Sequence, residues 1–175
     1  MIDFPFARHA ARRYHNVMSD PTPAPKSTQS KGPRNERSAG LVVFRSGPTP
    51  DDPREYLLLD YGKHWDYAKG HVEPTEDDLT AALREMVEET GISDVRVLPG
   101  FAREMTYFFR DRKKRLVRKT VIFFLASTRA TDEQVVLSDE HVGFAFLNYD
   151  DALRRLTYPA ARDMLQHADD YLKAL

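Results

Sequence analysis

The sequence predicts an α/β fold in which a mixed β-sheet lies between helices. Two observations carry this. Five segments rich in aliphatic, β-branched and aromatic residues are spread between Ser38 and Tyr149, and helical patterns interrupt and follow them. The 175 residues suffice for one domain with a real core. A net charge of -1 gives no global pull toward nucleic acid or a membrane. The absence of Cys excludes disulfides and thiolate metal sites, so any metal must be held by oxygen or imidazole. The longest strongly apolar run, Val121 to Ala126, is far too short to span a bilayer, and no apolar stretch opens the chain as a secretory signal would. A cytoplasmic monomer is expected.

Residues 1–37 read as a disordered basic tail. They hold seven basic and three acidic side chains, and "DPTPAPKSTQSKGPRNER" contains no aliphatic residue larger than Ala. Such a segment buries too little apolar surface to offset chain entropy. Within it, "FARHAARRYHNVM" suits a short basic helix; a targeting role and a plain loose end both remain open. The folded domain is expected over residues 38–175. "SAGLVVFRS" and "REYLLLDYG" read as strands joined by the turn-rich "GPTPDDP". "DVRVLPGFAREMTYFFR" and "KTVIFFLAST" read as two long strands joined by the basic "DRKKRLVR", and "GFAFLNY" as a further strand. The chain from Tyr149 onward reads as helix, with Pro159 starting its second part.

Between the second and third strands lies "GHVEPTEDDLTAALREMVEETGI", residues 70–92, with seven carboxylates and one Arg. Leu79, Ala82, Leu83, Met86 and Val87 recur at helical spacing, and Gly91 supplies a stop. Thr75 reads as the N-cap with Asp78 in a loose capping box, giving a helix over 76–90. Glu85, Glu88 and Glu89 then share one face, two of them in the last turns where the helix dipole disfavours anions. Arg84 is the only local compensation. A divalent cation is the other: clustered carboxylates suit Mg²⁺ or, alternatively, Mn²⁺. For three Glu alone, a plain solvated acidic face explains the pattern as well. Gly70 precedes the helix as though a turn needed positive φ.

Gly70, Glu76, Arg84, Glu85, Met86, Glu88, Glu89, Gly91 and Ile92 match the Nudix box at every spacing. Chance agreement at its seven fixed positions is roughly one in 10⁸, so the match is not composition. The segment therefore resembles the Nudix hydrolases, which cleave a nucleoside diphosphate linked to another group. That resemblance implies an α/β/α sandwich with a mixed β-sheet between helices. The flanks "HWDYAKGHVEPTEDD", "GFAREMTY", "KTVIFFLA" and "LSDEHVGFAFL" resemble, in this order, the asymmetrical bis(5′-nucleosyl)-tetraphosphatases, over residues 38 to about 170. One departure stands out. Animal and plant members usually read Trp-Thr-Pro-Pro-Lys-Gly-His, whereas this chain reads Trp65-Asp66-Tyr67-Ala68-Lys69-Gly70-His71, so the loop carrying Lys69 is expected to sit differently.

The resemblance implies roles residue by residue. Glu85, Glu88 and Glu89 match the metal-binding glutamates, with Gly70 beside them. Glu140 in "SDEH" matches a further carboxylate that binds metal or activates water. Arg84 orients carboxylates, and Glu89 and Glu140 are the candidate general bases. Glu73 and Glu76 are weaker metal candidates, and Glu76 serves equally as a first-turn acid. His64, Lys69 and Lys119 match groups that approach the phosphate chain. Lys119 ends a basic loop with Arg110, Arg112, Lys113, Lys114, Arg115 and Arg118, which reads either as a substrate contact or as a solvated tip. Tyr107 and Tyr158 match aromatics able to sandwich an adenine. Trp65 reads as a packing residue.

The implied activity is Mg²⁺-dependent hydrolysis of a dinucleoside polyphosphate, above all diadenosine tetraphosphate to ATP and AMP. The alternatives are pyrophosphate removal from 5′-triphosphate RNA, diphosphoinositol phosphatase activity, and a catalytically silent Nudix-type binding module. The intact box opposes the last, because a silent module has no reason to keep the charge repulsion.

Overall fold

The computed structural model describes residues 32–47, 49 and 52–175. Residues 1–31 of the expected basic tail lie outside the described residues. Seven strands form one mixed sheet: β1 (Arg34–Arg45), β2 (Glu55–Asp60), β3 (Trp65–Asp66), β4 (Lys69–His71), β5 (Arg96–Arg110), β6 (Leu116–Ser127) and β7 (Gly143–Asn148). Among the described residues, three α-helices accompany them: α1 (Asp78–Thr90), α2 (Tyr149–Arg155) and α3 (Pro159–Lys173). Strand β1 begins at Arg34 rather than Ser38. Its first residues pair in parallel with Val117 to Thr120 of β6, a long-range partnership that local composition does not reveal.

Alternation along the strands separates two cores. Val42, Tyr56, Leu58, Val121, Phe123 and Leu125 pack on one face with Leu156, Met164 and Leu165 of the C-terminal helical region. Leu41, Val43, Leu57 and Leu59 pack on the other with Ala81, Ala82 and Met86 of α1. This period-two division, with helices on both faces, is the expected α/β/α sandwich. Pro159 opens α3 at its first turn, where a missing N–H costs nothing. Across the α3 side, the buried Tyr56 hydroxyl donates to Asp169 Oδ1 at 2.7 Å.

Strand β1 divides its second edge between two partners. Ser38, Ala39 and Gly40 pair with β4, whereas Phe44 and Arg45 pair with β2. Residues 65–71 wedge into this fork, and the Leu41 amide donates to Ala68 O at 3.1 Å. Tyr67 anchors the wedge: it is fully buried, and its hydroxyl donates to Ala161 O at 2.7 Å. The fork places Lys69 and Gly70 beside the C-terminal half of α1.

Replacing Tyr56 by Phe leaves a carboxylate oxygen of buried Asp169 without that donor, although Lys173 still pairs with Asp169. Urea unfolding of Tyr56→Phe is expected to show a loss of about 2 kcal/mol with an unchanged slope.

Candidate active site

Helix α1 starts two residues later than the sequence pattern suggests. Its N-cap is Asp77, whose carboxylate accepts from the Thr80 amide, and not Thr75. Both residue types can cap, and what decides is that the chain from Glu73 to Glu76 closes its own turn first. Gly91 ends the helix at φ 71°, in the left-handed conformation glycine allows, and its amide donates to Val87 O. Val87, placed on the apolar stripe, is 45% exposed, and Ala81 occupies the core instead.

Gly70 is required for a different reason from the one the turn suggests. It is absent from the residues with positive φ, but a Cβ there would sit 1.9 Å from Glu85 Cδ. Only a bare backbone lets β4 lie this close to the Glu85 carboxylate. Arg84 gathers the acids around that contact. Its guanidinium donates to Glu76 Oε1 at 2.6 Å, Glu76 Oε2 at 3.2 Å, Glu85 Oε1 at 2.8 Å, Glu88 Oε2 at 2.9 Å and His71 O at 2.9 Å. These bonds, that to Glu76 foremost, raise the Arg84 pKa above its already high value. In turn Arg84, and then the Glu73 amide, hold Glu76 below the usual carboxylate range.

Glu89 faces inward and is 5% exposed. Its Oε2 accepts from the Lys69 amide at 3.0 Å. Burial pushes its carboxyl up to about 8; Lys69 opposes the rise, while Glu85 and Glu140 reinforce it. Glu140 stands in an exposed turn within electrostatic reach of Glu89. Among the described residues, no three His, Cys, Asp or Glu side chains are gathered as a ready metal cage. Glu85 and Glu88 are turned toward Arg84, and Glu89 toward the Lys69 amide.

On the other side of the wedge stand the groups expected to meet substrate. Lys69 Nζ lies 3.0 Å from Asp66 Oδ2, with both side chains under 10% exposed, so its charge is engaged within the protein. His64 stacks on Tyr61, with centroids 4.7 Å apart and planes at 5°, and its ring lies 5.3 Å from that of Tyr158. Burial and then Lys69 lower the His64 pKa, favouring neutral imidazole. Lys119 is the cross-strand neighbour of both Tyr107 and Glu36. Burial and the nearby Lys69 lower its pKa. Burial raises the Tyr107 phenol to about 12, and Asp66, Glu36 and Tyr158 all add to the rise. Tyr158 is half exposed. Trp65 packs against the α3-side core beneath the Arg155 guanidinium. The basic loop between β5 and β6 turns around Asp111, which accepts from the Lys113 and Arg115 amides and pairs with Arg115.

Two further residues complete the site. Tyr61 joins its halves: it stacks on His64, meets His141 edge-on at 4.3 Å, and its hydroxyl receives from Lys69 Nζ at 3.3 Å and donates to Tyr67 O at 3.0 Å. His141 is buried, with Nε2 3.4 Å from Glu89 Oε1 but outside hydrogen-bonding geometry, so neither ring nitrogen has a partner among the described residues. Burial lowers its pKa and keeps it neutral. His141 is missing from the sequence reading, although "SDEH" places it next to Glu140; Tyr61, at the end of an ordinary strand pattern, carries no local signal.

A box of Gly70, Glu76, Arg84, Glu85, Glu88 and Glu89, set where a forked sheet meets α1, defines a class. The NUDIX domain model matches residues 34–168, and the chain belongs to the NUDIX family. Within that family it is similar to asymmetrical bis(5'-nucleosyl)-tetraphosphatases. The rat enzyme is 39% identical over 144 residues, covering 78% of this chain and 95% of the relative, and the mouse enzyme 36% over the same shares. The crystal structure of a Caenorhabditis elegans Ap4A hydrolase binary complex superposes with a TM-score of 0.68 at 29% identity, covering 80% of this chain and 99% of that one.

A carboxyl whose pKa is raised on folding binds its proton more tightly in the folded state. Metal-free stability therefore falls as pH climbs from the unfolded value near 4.3 toward the folded value of about 8. In chelator, Glu89→Gln is expected to unfold about 3 kcal/mol harder than the native chain at pH 8.5, with the gap closing toward pH 5. Equal stability of the two proteins at pH 8.5 contradicts the buried, repelled carboxylate.

Proposed function

We propose that this chain is a metal-dependent hydrolase of dinucleoside polyphosphates, acting by preference on diadenosine tetraphosphate and releasing ATP and AMP. The carrying observation is the likeness to asymmetrical bis(5'-nucleosyl)-tetraphosphatases across 95% of the rat relative's length. The donors fit a hard cation. Glu85, Glu88, Glu89 and Glu140 offer carboxylate oxygens, and the backbone of Gly70 lies against Glu85. The raised proton affinity of Glu89 comes first from its burial, and the neighbouring Glu85 and Glu140 add to it, so a bound cation would relieve both. Such a set suits Mg²⁺, with Mn²⁺ as an alternative. When bound, the metal offsets phosphate charge and makes water a better nucleophile.

The protein's own groups do the rest. Arg84 holds Glu85 and Glu88 in register with the Glu76 loop. His64 and Lys119 border the path of the phosphate chain, with Lys69 beside them. Tyr107 and Tyr158 offer ring faces to an adenine, whose stacking any purine shares. Water attacks the phosphorus next to one adenosine; its oxygen bonds to that phosphorus, and the bridging P–O bond to the remaining three phosphates breaks. Glu89 or Glu140 accepts the proton of the water, and ATP departs as AMP forms. No helix among the described residues is long and apolar enough to cross a membrane.

With Mg²⁺ and diadenosine tetraphosphate, anion-exchange chromatography is expected to resolve equal ATP and AMP. Glu89→Gln is expected to lower the rate by at least about 10²-fold, the scale of a lost general base or metal ligand. Two equivalents of ADP would place the attack at the wrong phosphorus. Absence of turnover, with release of pyrophosphate from 5′-triphosphate RNA, would transfer the activity to that substrate.

A further inference from the structure

Asp66 is a buried anion in the middle of the groups assigned to substrate. It is 5% exposed. Its Oδ1 accepts from the Tyr67 amide at 2.9 Å, and its Oδ2 lies 3.0 Å from Lys69 Nζ. Lys69 has little freedom to leave: its ammonium also donates to the Tyr61 hydroxyl at 3.3 Å and lies 4.5 Å from the centre of that ring. The negative charge of Asp66 is felt by His64, Tyr107 and Lys119 as well. Lys119 differs from Lys69. It is half-buried, yet its ammonium makes no ion pair or hydrogen bond among the described residues.

We propose that Asp66 is a specificity-determining residue, which cancels the charge of Lys69 in place and leaves Lys119 as the cation that meets the polyphosphate. This rests on the polyphosphate reading above and deepens it. A cleft with two free lysines attracts a phosphate chain more strongly with each added phosphate. A cleft in which one lysine is held by a buried carboxylate attracts longer chains less steeply. Asp66 thus limits the preference for the more highly charged homologues.

The test is a charge cycle: Asp66→Asn, Lys69→Gln and the double variant, each titrated calorimetrically with inorganic tripolyphosphate at fixed Mg²⁺ and salt. Asp66→Asn uncovers a cation, so tripolyphosphate is expected to bind about tenfold more tightly, the effect of one unit charge at an intermediate dielectric. Lys69→Gln uncovers an anion and is expected to weaken binding by a similar factor. The double variant removes a pair with no net charge and is expected to stay within about twofold of the native chain. In hydrolysis, Asp66→Asn is expected to raise kcat/KM for diadenosine pentaphosphate relative to tetraphosphate, through KM rather than kcat.

Native-like binding by Asp66→Asn, or a tenfold loss in the double variant, overturns the proposal, because Lys69 then already faces phosphate. Should Asp66→Asn fail to fold, the double variant decides, since it leaves no buried charge unpaired. A native chain that hydrolyses diadenosine tetraphosphate but shows a flat binding cycle defeats this inference alone. A cycle obeyed by a chain that hydrolyses neither dinucleotide supports charge cancellation and removes the substrate assignment.

Discussion

The structure depends on one guanidinium holding several carboxylates. Arg84 reaches Glu76, Glu85, Glu88 and the carbonyl of His71 together, and so ties the 71–76 loop to the helix that follows it. Without it, Glu85 and Glu88 would repel across one turn of α1 near an end that already disfavours anions. The box spacing then has a physical reading. Gly70 must lack a Cβ because Glu85 occupies that space. Glu76 must end the loop because Arg84 bonds it across eight residues. Gly91 must turn left-handed so that the chain leaves the helix directly after Glu89. Gly70, Glu76, Glu85 and Glu88 are thus linked through Arg84, while Glu89 is held by the Lys69 amide and Gly91 closes the helix behind it.

What was legible in the sequence followed from periodicity. The apolar runs became strands because alternate residues feed two cores, and Met86 and Ala82 marked the helix face that reaches β1. What was not legible depended on residues far apart in sequence. The start of β1 at Arg34 is set by β6, about eighty residues on. The choice of Asp77 over Thr75 as cap depended on a turn closed by Glu73 and Glu76, a contest between two good capping residues. Gly70 had the right residue type for a reason a lone sequence hides: its neighbour in space, not its own φ, forbids a side chain. In the site, the carboxylates were legible because their charge pattern is unfavourable without a partner. Tyr61 was not, because its role arises only when the wedge of residues 65–71 brings Lys69 over its ring.

The fork in β1 links the fold to electrostatics. A continuous β1–β2 pairing would leave no room for the wedge, and the amide of Lys69 would not reach Glu89. The wedge is held by an apolar anchor, Tyr67, which carries no charge of its own and fixes the backbone on both sides. One residue before it sits Asp66 and two after it Lys69, so a single buried tyrosine places opposite charges against each other.

That placement sets the balance of the whole site. On the α1 side, burial foremost raises the proton affinity of Glu89, and the neighbouring Glu85 and Glu140 add to it. On the other side, the charge of Lys69 is already met by Asp66 within the protein. If the proposed metal and polyphosphate bind here, they would meet different groups: the carboxylates of α1 would hold the metal, and Lys119 rather than the paired Lys69 would face the phosphates. Glu89 would then help hold the metal and Lys119 the phosphates, so that each bound group would supply the charge the other half of the site lacks. Under the proposed function, coupling of this kind would favour metal-bearing substrates over free nucleotides, and it would follow from the separation of charge across residues 65–71 rather than from any one contact.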